Sequence, residues 1–537
     1  MHIVTLIEFA SEKTIARLLI KERVKYRRRN FNETDNHALN RDCDLYDLKI
    51  NKQLSRLTPP RHHWKWTKKR KKRNGVSDSR KNTKMAMMLT YRRNKKSEIE
   101  GGEHFAYLDE MRAFRKRIID RLSDDNLSFH QPELMIQYKD KKLRDDGTFM
   151  VTGRPLSVYK NLEDKIILAL TNSYLTYFFD SYLHENILSY RKVKYDKVEK
   201  RTETIDFSEG AKRIMAFREK HDADTIYVSD CDIKKFYDTF DHQMVSECFE
   251  RLLKRTPLND EGKTQVMRVL NAYLKSYNFY DNVLVPTSTT KKNPLFAKIR
   301  KKVGDVENKN AYVIGKVDKI PDKDYKQRGI PQGGALSLMI ANVVLNDVDQ
   351  EIIKDPDDNR LFLRYCDDMI LMHTDRDECK RLMDMYVKSL SDHDLVYHDF
   401  ESVCDSKTTS KKYNNAFATT KNFWKIKSHK PFLWGKGEGD SNLYVGFLGY
   451  EIRRDGRIRL RKSNVEKIKE KFNRQRHIIM RHKEDSPNDY EEFRDKRLQS
   501  VLNGLLFYEA FDKDAFEHGS QYKYIMKLQR QTRRSVK

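Results

Sequence analysis

Residues 361–373 read LFLRYCDDMILMH: two apolar runs, Leu361 to Tyr365 and Met369 to His373, flank Cys366, Asp367 and Asp368. Short apolar runs around a polar break predict a β-hairpin, here with two adjacent acids at its tip. Neighbouring carboxylates repel one another, so such a pair is costly unless a cation neutralises it. Taken alone, the two acids are better read as an ordinary Asp-Asp turn.

A second strand decides between these readings. Residues 227–233, YVSDCDI, form a short β-type run that carries Asp232, and KKFYDTF (234–240) follows with the aromatic pair Phe236 and Tyr237. Two strands delivering Asp232, Asp367 and Asp368 predict a site for two divalent ions about 3.5–4 Å apart, the arrangement used for in-line phosphoryl transfer. One ion would lower the pKa of a primer 3′-hydroxyl, and the other would hold a triphosphate and its leaving pyrophosphate. An all-oxygen ligand set favours Mg2+, with Mn2+ as the alternative, over zinc.

Outward from these strands, Leu336, Ile340, Val344, Leu345, Val348 and Ile352 repeat with helical spacing after Pro331-Gln332-Gly333-Gly334 and predict a buried helix. A similar pattern through Leu162, Ile166, Ile167, Leu170 and Leu175 predicts another near the start of a folded domain. Residues 281–326 and 405–442 are polar and read as insertions. Tyr444 to Ile452 is strand-like, and the chain from Ser463 onward is charged and helical.

At 537 residues, two or three domains are expected. Lysine and arginine outnumber acids 107 to 80, a net charge of +27 that points to a polyanionic partner, nucleic acid first. The charge is concentrated in residues 61–73, RHHWKWTKKRKKR, where Arg61, Lys65, Lys68, Lys69, Arg70, Lys71, Lys72 and Arg73 are interleaved with Trp64 and Trp66. Cations beside aromatic faces suit an RNA backbone with stackable bases; a solvated basic loop is the bland reading. No apolar run is long enough to span a bilayer, so no membrane partner is expected. Met1 to Ala10 is interrupted by Glu8 and lacks a basic leader, which argues against a secretory signal. The six cysteines contain no C-x-x-C pair, which argues against a zinc knuckle or disulfide framework and fits a reducing cytoplasm.

The order DIKKFYD, RGIPQGGALS, YCDD, FLGYEI resembles the reverse-transcriptase family, in particular bacterial enzymes related to group II intron proteins. The resemblance runs from about Arg154 into the helices beyond Ser463. It implies an α+β polymerase right hand: a basic N-terminal extension (1–150), fingers and palm (151–460) and a helical thumb (461–537). It also implies roles. Asp232 and Asp367 resemble the carboxylates that bridge both metals, and Asp368 the supporting acid. Tyr237 falls at the steric gate against a ribose 2′-hydroxyl, beside Phe236. Gln332 and Gly333 resemble the loop that touches template and incoming base. Arg154 resembles a triphosphate contact, Tyr190-Arg191 a further fingers motif, and Phe447, Leu448 and Gly449 the primer grip. The lysine that relatives place after the hairpin as proton donor to pyrophosphate aligns near Glu401, with Lys407 as a substitute.

The implied activity is RNA-directed DNA synthesis from dNTPs on an RNA template, giving a DNA product. An RNA-dependent RNA polymerase resembles a different pattern, with a second Asp where Tyr237 stands and Gly-Asp-Asp at the hairpin. A non-catalytic RNA-binding protein on the same scaffold is the other class of reading, against which stand the three intact acids. Among reverse transcriptases, the basic extension, the insertions and the missing Cys/His-rich nuclease resemble an antiphage defence enzyme with a dedicated noncoding RNA; an intron maturase is the alternative. A homo-oligomer is compatible with the sequence.

Overall fold

The computed structural model describes residues 5–31, 41–64, 83–143, 149–191, 194–196, 201–203, 207–233, 236–279, 327–397, 430–436, 444–485, 490–502 and 520–535. In chain order these form α1 (Leu6–Phe9), α2 (Glu12–Phe31), α3 (Arg41–Arg56), α4 (Thr83–Ile99), α5 (Ala106–Ser123), β1 (Glu133–Leu143), β2 (Phe149–Val158), α6 (Leu162–Phe179), β3 (Lys194–Asp196), β4 (Arg201–Glu203) and α7 (Phe207–Lys220). There follow β5 (Tyr227–Cys231), α8 (Phe236–Thr239), α9 (His242–Arg255), α10 (Asp260–Lys275), α11 (Ser337–Ile353), β6 (Arg360–Tyr365), β7 (Asp368–His373) and α12 (Arg376–Asp392). The last elements are β8 (Phe432–Leu433), β9 (Tyr444–Phe447), β10 (Tyr450–Arg453), β11 (Ile458–Leu460), α13 (Lys462–Asp485), α14 (Tyr490–Leu502) and α15 (Ser520–Ser535). The described strands pair antiparallel. The chain divides into two compact units, 1–182 with 237–344 and 183–236 with 345–537.

In the first unit, α2 packs against α3, α4, α5 and α6. The helical spacing from Leu162 becomes α6, and its start follows from Asn161, whose side-chain oxygen accepts the backbone N–H groups of Glu163 (2.8 Å) and Asp164 (3.2 Å). Strands β1 and β2 form a hairpin that runs across residue 150, so the expected edge of the N-terminal extension falls inside a continuous ladder.

The second unit is built on a sheet of order β6-β7-β5-β8. Alternation along paired strands sends Val228, Leu363, Ile370 and Met372 to one face, where they join Trp434, Phe447, Ile452 and Phe472 in one apolar core. The other face carries Ser229, Phe362 and Arg364. It is covered by α12, whose Cys379 and Tyr386 meet Ser229 and Phe362. A sheet buried on both faces holds its register firmly, because a one-residue slip would exchange the two sets of side chains.

The stretch Tyr444 to Ile452, expected as one strand, is two. Leu448 (φ 49) and Gly449 (φ 89) turn β9 back onto β10. Positive φ at both central residues matches the two-residue turns whose twist suits a hairpin.

Candidate active site

The predicted hairpin is β6–β7, with Tyr365 paired to Asp368 and a two-residue turn at Cys366-Asp367. Asp367 therefore lies in the turn, while Asp368 is the first residue of β7. Strand β5 pairs with β7 as far as Cys231–Met369, and the next step of that register is Asp232 with Asp368. Asp232 is held on its other side as well, because Ile233 bridges to Tyr397. All three acids are half-buried and lie at one end of the β6-β7-β5 ladder.

The turn is supported from both sides. Arg364 and Asp349, both wholly buried, form an ion pair at 2.7 Å, and the Arg364 Nε–H donates to the same carboxylate at 2.8 Å. Burial opposes the charge on Arg364, yet Asp349 lifts its pKa above the ordinary value; burial likewise raises the Asp349 carboxyl against the Arg364 charge. Arg364 also donates to the Cys366 carbonyl at 3.0 Å. The Cys366 N–H donates to Ser189 Oγ at 3.1 Å. Residues 186–188 run beside β6, exchanging Arg364 N–H to Asn186 O (3.1 Å) and Leu188 N–H to Arg364 O (2.8 Å). Arg191, expected in a fingers motif, secures this segment by donating to the carbonyls of Ile187 (3.0 Å) and Leu183 (3.2 Å).

Burial, and then the charge of Asp367, pushes the Cys366 thiol up to about 11, which disfavours the thiolate as a ligand. The donor set at this end of the sheet is therefore carboxylate oxygen, which suits a hard divalent cation. A separate trio, half-buried Glu98 with exposed His104 and Asp109, brings its ligand atoms within 4.8 Å of one another. Arg112 pairs with both acids there, which marks a salt-bridge cluster.

In the first unit, Ile330 N–H donates to Tyr237 O (2.8 Å) and Gly329 N–H to Phe240 O (2.7 Å), tying the segment before Gln332 to the helix that carries Tyr237. Gln332 donates from its side-chain amide to Asp238 (3.1 Å), while its carbonyl accepts from Ser157 N–H (2.8 Å). Asp238 was not singled out in the sequence; its place directly after the aromatic pair was the available signal. Gly333 is exposed with φ 87, and a Cβ on Gly334 would lie 1.9 Å from the Tyr273 hydroxyl. Arg154 lies on β2, opposite Gln137. On the adjoining α6, Glu163 pairs with Arg117 and Asp164 with Arg121, each at 2.8 Å.

Several expected contacts are core positions instead. Phe236 is buried, and Phe447 lies at the centre of the apolar core of its unit, leaving Leu448 and Gly449 at the turn. Trp64, expected to stack on bases, is 7% exposed; its indole N–H donates to Pro59 O at 2.8 Å and Arg23 lies over its ring at 5.6 Å. An indole with a satisfied N–H and a covered face is a packing residue. Arg61 is exposed on a short 3-10 turn. Lys65, Trp66, Lys68, Lys69, Arg70, Lys71, Lys72, Arg73, Glu401 and Lys407 lie outside the described residues.

Residues 141–399 match the family model described as reverse transcriptase (RNA-dependent DNA polymerase). The chain carries a reverse transcriptase domain. That domain is a nucleotidyltransferase of the RNA-directed DNA polymerase type, its α+β polymerase fold agrees with the antiparallel sheet and helices described above, and such domains use divalent metal ions. Among solved structures, the chain is similar to apo telomerase from Candida tropicalis (13% identity, 76% of this chain and 62% of that one, TM-score 0.35). It is also similar to telomerase from Candida albicans in complex with the TWJ fragment of telomeric RNA (12% identity, 90% and 64%, TM-score 0.34). The chain spans 62% and 64% of the length of these two telomerase chains. No curated protein matches the sequence.

Proposed function

We infer that this protein is an RNA-directed DNA polymerase that extends a 3′-hydroxyl on an RNA template by two-metal phosphoryl transfer. The observation that carries this reading is the register that brings Asp232 toward Asp368, with Asp367 in the adjoining turn, inside the matched reverse transcriptase domain. These three carboxylates would hold the ions. When bound, two Mg2+ ions supply activation of the primer hydroxyl and neutralisation of the triphosphate charge. Tyr237 would exclude a ribose 2′-hydroxyl, and the Asp238–Gln332 hydrogen bond would fix the amide beside the incoming base. Gly333 lets the backbone approach closely there. Residues 151–460 would supply fingers and palm, and α13–α15 the thumb.

The nucleic-acid partner would be held partly by the extension. On α2, Lys13, Arg17, Lys21 and Lys25 recur at four-residue spacing and are exposed, as is Lys84 on α4, which packs against α2. Like charges crowded in this way are relieved by phosphates. In the cell, the reading is an antiphage defence enzyme with a dedicated noncoding RNA as template; a group II intron maturase is the second reading, favoured by the PQGG and YCDD motifs.

Purified full-length protein should incorporate dNTPs on a primed RNA template with Mg2+ or Mn2+, and Asp367→Asn should not. No incorporation under either ion on any primed RNA would sink the reading. Sequencing co-purifying RNA and cDNA tests the biological role: one recurrent noncoding RNA supports defence, and intron RNA supports the maturase.

A further inference from the structure

Cys366 is a non-glycine residue with φ 57 at the first central position of a two-residue hairpin turn. Left-handed backbone is unfavourable for an L-residue with a side chain and persists where the surroundings over-determine it. Here the surroundings are specific. The N–H of Cys366 goes to Ser189 Oγ and its carbonyl to the Arg364 guanidinium, so both backbone polar groups of the strained residue are satisfied by buried side chains. The guanidinium is oriented in turn by Asp349, which engages it through two nitrogens. A planar fork can serve a carboxylate and a carbonyl together, which an ammonium cannot do in the same geometry.

We propose that Ser189, Arg364 and Asp349 are positioning residues that hold Cys366 in its left-handed conformation and so set the Asp367 and Asp368 carboxylates for divalent-ion binding. Ser189 and Arg364 bond the backbone of the turn, and Asp349 acts through Arg364. The consequence for synthesis rests on the polymerase reading, whereas the consequence for ion binding does not.

The test uses the full chain and Mn2+, followed by electron paramagnetic resonance, with Asp367→Asn identifying which binding belongs to the hairpin. Ser189→Ala deletes one hydrogen bond to the turn. Arg364→Lys keeps the charge opposite Asp349 while giving up the fork. Each is expected to weaken Mn2+ binding at the hairpin by about 10–100-fold, the range for loss of a group that orients a ligand. The Mn2+ concentration for half-maximal primer extension should rise in step, with the KM for dNTP little changed. Because glycine adopts positive φ without strain, adding Cys366→Gly to Ser189→Ala is expected to recover most of the lost Mn2+ affinity. Lower melting temperature with unchanged Mn2+ affinity in Ser189→Ala and Arg364→Lys, or no recovery by Cys366→Gly, overturns the proposal. A wild-type chain that binds Mn2+ at the hairpin yet extends no primer removes the polymerase reading, and the positioning role is then decided by the binding data alone.

Discussion

Two tight turns in the same unit solve one backbone problem differently. At β6–β7 the left-handed residue is Cys366, which carries a side chain, and its N–H and C=O are taken up by Ser189 and a buried Arg364–Asp349 pair. At β9–β10 the left-handed pair is Leu448 and Gly449; the Gly449 carbonyl accepts from Arg461 N–H (3.1 Å) and from the Asn464 amide (3.3 Å). The second turn rests on glycine and on the apolar core around Phe447. The first depends on a polar clamp, and its neighbours are the acids whose placement matters for chemistry. Both turns hold a non-glycine residue at positive φ, Cys366 and Leu448; the second pairs its strained residue with a glycine, whereas the first is fixed by buried side chains.

The largest expected effect separates chemistry from structure. Asp367→Asn should remove several kcal/mol of transition-state stabilisation, roughly a thousandfold in extension rate, with the melting temperature near that of wild type; a variant retaining a tenth of the activity breaks the assignment of this turn as catalytic. Next in size, Asp349→Ala leaves Arg364 buried without its carboxylate and should cost about 3–5 kcal/mol in denaturant unfolding. A loss below about 1 kcal/mol, the level of an exposed pair, would mean that the clamp is dispensable to the fold.

At the other turn, Gly449→Ala places a Cβ at φ 89 and 2.5 Å from the Asn464 amide nitrogen. Strain of about 1–2 kcal/mol follows, and a thermal melt should show it. Smallest of all is Cys366→Gly, where relief of strain and loss of the side chain's restriction on the unfolded chain nearly cancel, leaving a stability change within about 1 kcal/mol. If both substitutions destabilised equally, the contrast between a glycine turn and a clamped turn would fail.

The β6–β7 hairpin was legible because three local signals agree there: two apolar runs of strand length, a polar break of turn length and adjacent acids. Asp232 was legible for the same reason, at the end of a β-type run. The helix from Leu336 to Ile352 announced itself by spacing and appears as α11. The turn at Leu448 was not legible, because leucine is a poor signal for left-handed backbone and Gly449 alone permits several turns. Trp64 was misread since a basic neighbourhood says nothing about whether an indole faces out or in.

The sequence by itself determined that this chain carries three carboxylates at strand ends and a tight turn, in reverse-transcriptase order, and a large excess of cations, since strand length, turn composition and charge are local properties. Tertiary structure alone decided that Arg364 meets Asp349 across elements, that Ser189 reaches the turn, and that Asp238 holds Gln332. Those partners are brought together by packing and register. A periodicity in one strand or helix carries no information about which distant side chain completes a buried hydrogen bond.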